Sequence, residues 1–276
     1  MPVKKDPNGR RFVEAEVEVP GTPEEVWRAI ASGPGISSWF VPTRVEERVG
    51  GKVEASFGPN MDSLAKITEW EPPRRYVAET NEDMGPAGPT LATEWVVEAR
   101  DGGRCVVRVV HSWFASTDDW DGQFEQHEYG WHEFFKILRT YLTDFRGQNG
   151  TVLQLTAAWP AAKEIAWAKL LRELGIERLE PGARLSTGAG APKLEAVVER
   201  LGEREHPEML FLKLAKPAPG YMHIFAMPMG GQTIVPMRMF LFGPRAEEIA
   251  RREEAQWQSW IGSLASTDVP ECARPG

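Results

Sequence analysis

The chain has 276 residues, enough for two domains that each bury a core, and a formal charge of −8. That acidity excludes the clustered basic face used by nucleic-acid binders, and no apolar run approaches the roughly 20 residues of a membrane helix. Cys105 and Cys272 lie far apart with no CxxC, which excludes a readable disulfide framework or cysteine zinc site.

From the N-terminus, MPVKKDPNGR lacks the apolar core of a signal peptide, so a cytoplasmic location with reduced thiols is expected. FVEAEVEVP then alternates Val13, Ala15, Val17 and Val19 against Glu14, Glu16 and Glu18, the period of a half-buried strand with a solvated acidic face. Thr22 is placed to cap a short helix, with Pro23 at its first position and Glu24 and Glu25 in its first turn. That helix is expected to end near Gly33-Pro34-Gly35, with ISSWF forming a second short helix or turn that presents Trp39 and Phe40. From Thr43 to Arg100, apolar runs separated by Gly50-Gly51, Gly58-Pro59-Asn60, Pro72-Pro73 and a Gly/Pro loop at 85–89 read as an antiparallel meander. Asp101-Gly102-Gly103 signals a hairpin into RCVVRVVHSWF, where Arg108 marks the solvent side and His111 therefore points inward with Val107, Val109 and Trp113. ASTDDWDGQ reads as a polar loop.

His127 to Phe145 closes this half. Trp131, Phe134, Phe135, Ile137, Leu138, Tyr141, Leu142 and Phe145 fall on one helical arc roughly 160° wide, opposite His132, Glu133, Lys136, Arg139, Thr140, Thr143 and Asp144. So wide and aromatic a stripe needs a sheet to cover. The order is strand, helix pair, about six strands and a long helix, which a curved sheet gripping one helix accommodates.

The segments PEEVWRAIASGPGISSWF, RVGG (Arg48 to Gly51), ITEWEPPRRY (Ile67 to Tyr76), VVHSWF and GWHEFFKILRTYL, in this order, resemble the Hsp90-ATPase-activator-homologue-like branch of the START/polyketide-cyclase (SRPBCC) superfamily. The resemblance implies a helix-grip fold with an elongated apolar cavity under the long helix. It also implies binding of lipid-like, polyketide-like or hormone-like molecules, cyclase chemistry in some members, and chaperone regulation in others.

The second half repeats the topology in degenerate form. TVLQLTAAW matches the opening strand and Pro160 to Leu174 the first helix. LEAVVER, EMLFLKLA, YMHIFAMPM and TIVPMRMFLFG supply strands, and Pro244 to Leu264 a terminal helix. The second half has no WF, no RVGG and no GW. Asn149-Gly150 is the expected boundary, giving an α+β protein of tandem START-like domains, 1–149 and 150–276, each an antiparallel curved sheet wrapped around a long C-terminal helix.

Eleven tryptophans provide more aromatic surface than a core of this size ordinarily uses. The residues expected to line a ligand cavity are Trp39, Phe40, Trp70, Trp95, Val109, His111, Trp113, Trp131, Phe135 and Leu138. His111 is the polar candidate, either a ligand hydrogen-bonder and base or a core histidine satisfied by a neighbour. A catalytic set would need Glu94 or Tyr141 beside it. His127 and His132 sit about 140° apart on the helix, which argues against a shared metal. Glu253 falls within the apolar arc of the last helix, facing either a pocket or the helix's exposed start. Met222, Met227, Met229, Met237 and Met239 suit an adaptable core or surface. Gly50-Gly51 and Gly230-Gly231 are isolated pairs, so no phosphate loop and no cofactor is expected. The partners expected are a small hydrophobic molecule, or alternatively a chaperone.

Overall fold

Alternating valines, a capped short helix and an amphipathic long helix assemble in the computed structural model as the sequence pattern implies. It describes residues 3–7, 9–58, 61–81, 89–114, 121–176 and 178–266, with the backbone alone at 114 and 121–129. The chain forms two compact units, Met1–Asn149 and Gly150–Gly276. Each has a helix-grip architecture.

The first unit contains β1 (Lys4–Lys5), β2 (Arg10–Pro20), α1 (Pro23–Ala31), α2 (Gly33–Ser37), β3 (Thr43–Val45), β4 (Lys52–Ser56), β5 (Asp62–Glu71), β6 (Arg75–Thr80), β7 (Leu91–Arg100), β8 (Arg104–Phe114) and α3 (Asp121–Asp144). Its sheet runs β1-β2-β8-β7-β6-β5-β4-β3, with every pairing antiparallel. Because β2 pairs with β8, the opening strand lies beside the last one, and α3 returns to pack along β2. Val13, Ala15 and Val19 are buried while Glu16 and Glu18 are exposed, so the acidic ladder is a solvated face. Glu14 and Glu18 pair there with Lys4 and Arg104.

Thr22 builds a full capping box: its hydroxyl accepts from Glu25 N at 3.3 Å, and Glu25 Oε2 accepts from Thr22 N at 2.9 Å. Those hydrogen bonds and nearby Arg146 hold the Glu25 carboxyl below its ordinary value. The first helix ends at Ala31, next to the Gly33-Pro34-Gly35 stretch as expected, and that stretch itself begins the second short helix. Ser32 ends α1 and its side chain caps α2, accepting from Gly35 N at 3.1 Å. Only glycine fits at 35, where a Cβ would lie 1.9 Å from the Arg28 carbonyl oxygen.

Helix α3 starts at Asp121, six residues before the apolar stripe predicts. Residues 121–126 carry no aromatic periodicity and so read as loop, yet their glutamines and glutamate are good helix formers. Phe135, Ile137, Leu138, Tyr141 and Leu142 are buried as the wheel requires. Glu133, assigned to the polar side, is also buried and is neutralised by Lys136 at 2.5 Å.

The second unit contains β9 (Thr151–Trp159), α4 (Lys163–Glu173), β10 (Arg184–Ser186), β11 (Glu195–Leu201), β12 (Met209–Lys216), β13 (Gly220–Phe225), β14 (Met227–Met229), β15 (Gln232–Leu241) and α5 (Ala246–Ser266). Strands run β10-β11-β12-β13-β15, with β14 continuing beside β15 and β9 along its other edge. The predicted single strand YMHIFAMPM is broken at Ala226 into β13 and β14. Pro236, which has no N–H to donate, falls where β15 passes from one partner to the other. Helix α4 begins after Pro160, at Lys163, and its N-cap Ala162 offers no side-chain acceptor. The helix-facing core is aliphatic, methionine and tryptophan: Leu153, Leu155, Leu210, Leu212, Met222, Ile224, Met237, Met239, Trp257 and Ile261.

Candidate functional site

The register of the first sheet decides where its one inward imidazole sits. His111 on β8 lies between Val13 of β2 and Thr93 of β7 in a single cross-strand row. Side chains alternate, so Val109 and Trp95 share its face while Glu94 and Val110 point to the other. His111 is buried, at 8% exposure. Its Nδ1 lies 3.1 Å from Thr93 Oγ1, and the Trp131 indole N–H donates to its Nε2. An indole nitrogen can only donate, so Nε2 is the acceptor and the neutral ring carries its proton on Nδ1, directed at Thr93.

Aromatic rings surround this pair. Trp131 stacks on His111 at 5.5 Å between ring centres and on Phe40 at 5.1 Å, and it meets Trp95 edge-on at 5.1 Å. Phe134 and Phe57 approach Phe40 edge-on at 4.5 and 5.6 Å, and Phe135 lies 6.1 Å from Trp95. Such geometries contribute about 0.5–1.5 kcal/mol per pair beyond burial. Phe40, Trp95 and Phe135 are buried, whereas Trp131, Phe134 and Phe57 are half-buried. The cluster therefore has a closed floor and a partly open rim.

Of the residues expected to line a cavity, Phe40, Trp95, His111, Trp131 and Phe135 come together here. Trp39, Val109 and Leu138 are fully buried beneath or beside them, and the Trp39 N–H is spent on the Ala29 carbonyl oxygen at 2.8 Å. Trp70 belongs to another group with Trp27 and Tyr76 against α1, connected to Trp95 through Tyr76. Trp113 packs with Val13 and Leu91. Three members of the rim and its polar pair, Thr93, Phe57 and Phe134, were outside that expected set. Thr93 was detectable as the residue two before Trp95 on the same strand face.

The suggested catalytic partners of His111 are committed elsewhere. Glu94 binds Arg75 on the opposite face of the sheet. The Tyr141 hydroxyl donates to the Gln148 carbonyl oxygen at 2.9 Å, and burial raises its pKa. Glu253 is buried and receives Arg252 at 2.8 Å. His132 is exposed, and the side chain of His127 lies outside the described residues. Among the described residues no three His, Cys, Asp or Glu side chains could hold a metal ion, and no helix is long and apolar enough to cross a membrane.

Residues 20–143 match the family of Activator of Hsp90 ATPase homolog 1-like proteins. That match covers most of the first unit. The match to the Activator of Hsp90 ATPase homolog 1-like family runs from the end of β2 almost to the end of α3, and so contains every member of the aromatic cluster. No curated protein matches the chain. Among solved structures, the di-domain ARO/CYC BexL from the BE-7585A biosynthetic pathway is 16% identical with a TM-score of 0.45, covering 96% of this chain and 100% of that one. The Aha1 dimer from Colwellia psychrerythraea is 18% identical with a TM-score of 0.42, over 49% of this chain and 98% of that one. CalU16 from Micromonospora echinospora is 19% identical with a TM-score of 0.40, over 52% and 83%.

Proposed function

We propose that the first unit binds a small hydrophobic molecule with a flat face at the rim formed by Trp131, Phe134 and Phe57. The carrying observation is that these rings are half-buried over a floor of Phe40 and Trp95 while the single inward imidazole lies among them. Partly exposed aromatic surface ordered around one polar group is the usual make-up of a small-molecule site. Glu94 and Tyr141 bind Arg75 and Gln148, so the role assigned to His111 is a hydrogen bond to the ligand. The proposed ligand-contacting residues are Phe40, Trp95, His111, Trp131 and Phe135, with Trp39, Val109 and Leu138 supporting them from below. Native mass spectrometry of protein purified from its own host tests this. A small aromatic adduct that is lost in Trp131→Ala is expected; adduct-free protein whose tryptophan fluorescence ignores a panel of planar aromatics would overturn it.

A second reading, regulation of a chaperone ATPase, is favoured by the exposed apolar side chains Val49 on the β3–β4 turn, Met61 just before β5 and Leu64 on β5. It predicts that the protein stimulates ATP hydrolysis by its host's Hsp90 and that Leu64→Asp abolishes the stimulation. An unchanged hydrolysis rate removes this reading.

A further inference from the structure

The dipeptide Asn149-Gly150 carries chemistry that the ligand reading does not use. Asn149 is the last residue of the first unit and Gly150 the first of the second. Both lie outside helix and strand, and Asn149 is exposed. The main chain is held just before and just after them. Gln148 O accepts from the Tyr141 hydroxyl at 2.9 Å, and Thr151 enters β9 opposite Leu241. Helix or strand dihedrals would keep a backbone nitrogen away from the side-chain carbon of the residue before it, and this dipeptide has neither set. Its second residue is glycine, so no Cβ shields that nitrogen.

We infer that Asn149 is a site of spontaneous deamidation. The Gly150 amide nitrogen, after losing its proton to water, attacks Asn149 Cγ. The Cγ–Nδ2 bond breaks, ammonia leaves with a proton taken from water, and a cyclic imide remains. Water then opens the imide and supplies the new carboxylate oxygen. Opening at Cγ gives aspartate, whereas opening at the main-chain carbonyl gives isoaspartate, whose chain path runs through the side-chain carbons. Either product adds a negative charge. Isoaspartate also lengthens by a methylene the path from the end of α3 to the start of β9, between the two points at which the chain is held. The reaction is independent of what the first unit binds.

Incubation of the full chain at mildly alkaline pH, followed by peptide mapping with tandem mass spectrometry, tests this. The peptide containing Asn149 is expected to gain about 1 Da, to separate into aspartate and isoaspartate forms, and to incorporate heavy oxygen from labelled water. Asn149→Gln should lose the gain. A synthetic peptide running from Phe145 to Leu153 sets the rate without the fold. A full-length rate within about a hundredfold of the peptide's is the expected result; a slower rate, or a gain confined to the other Asn-Gly pair at Asn8, overturns the assignment.

Discussion

The two units use one topology and put their buried strand histidines on opposite faces of it. In the first, the imidazole of His111 lies on the gripped face, among rings and under α3. In the second, the gripped face is built from leucine, methionine and tryptophan. Its polar row, Arg200, Phe211, His223, Arg238 and Gln154, crosses five strands on the other face. Cation–π contacts hold that row together, Arg200 over Phe211 at 4.8 Å and Arg238 over Phe225 at 5.8 Å, and Arg238 Nε donates to Gln154 Oε1 at 2.9 Å. The same fold thus carries a buried imidazole once on the gripped face and once on the face away from the helix.

The largest test of this contrast is steric and should strike both units alike. A Cβ at Gly35 would stand 1.9 Å from the Arg28 carbonyl oxygen, and one at Gly220 would stand 2.0 Å from that of Phe240. Gly35→Ala and Gly220→Ala are each expected to cost about 3 kcal/mol or more, since backbone must move in both cases. Thermal unfolding followed by circular dichroism reads the loss, and a shift within error at either position would show that the local packing is looser than described.

Tryptophan truncation should then separate the units. Trp257 of α5 is fully buried in the filled core, so Trp257→Ala should cost about 3–5 kcal/mol. Trp131→Ala, at the half-open rim, should cost about 1–2 kcal/mol, because part of its surface is already in water. Urea denaturation measures both; equal losses would make the rim as much a core as the interior of the second unit.

Acid should act on the buried histidine of the second unit. Burial, and then the charges of Arg238 and Arg200, hold His223 well below the ordinary histidine value. Its folded form favours the neutral ring, so its contribution is complete above about pH 6.5 and is lost as pH falls from there toward the lowered folded value. One such group gives a slope of at most about 1.4 kcal/mol per pH unit. Replacing it in His223→Phe should flatten the fall in melting temperature between pH 7 and 5, and an unchanged slope would assign the acid sensitivity to other groups.

Helix caps give the smallest contrast. Thr22→Ala removes the box at the start of α1 and should cost about 1 kcal/mol, whereas Ala162→Ser adds the missing acceptor to α4 and should return about 0.5–1 kcal/mol. Chemical denaturation of the two variants with opposite signs is the expected result. A destabilising Ala162→Ser would mean that the start of α4 is held by something other than its cap.

Much of this was readable from residue order alone because the signals were local. Thr22, Pro23 and Glu25 specify a helix start within four residues, and the alternation through Val107, Val109 and His111 fixes which way the imidazole points. What escaped depends on pairing between distant strands. Glu94 was a candidate partner for His111 until the register set Thr93, and not Glu94, opposite it. Trp70 and Trp113 carried the same aromatic signal as Trp95 but belong to other clusters, which no periodicity can reveal. The early start of α3 escaped for a different reason, as polar helix and polar loop have the same hydropathy.

The C-terminal end of α3 is anchored from two directions. Tyr141 is buried and bonded to Gln148, and just beyond the helix Arg146 pairs with Glu25 at 3.3 Å. Glu25 is also the residue that closes the capping box with Thr22. One carboxylate thus ties the start of the unit's first helix to the exit of its last, so a change at Glu25 loosens both ends at once.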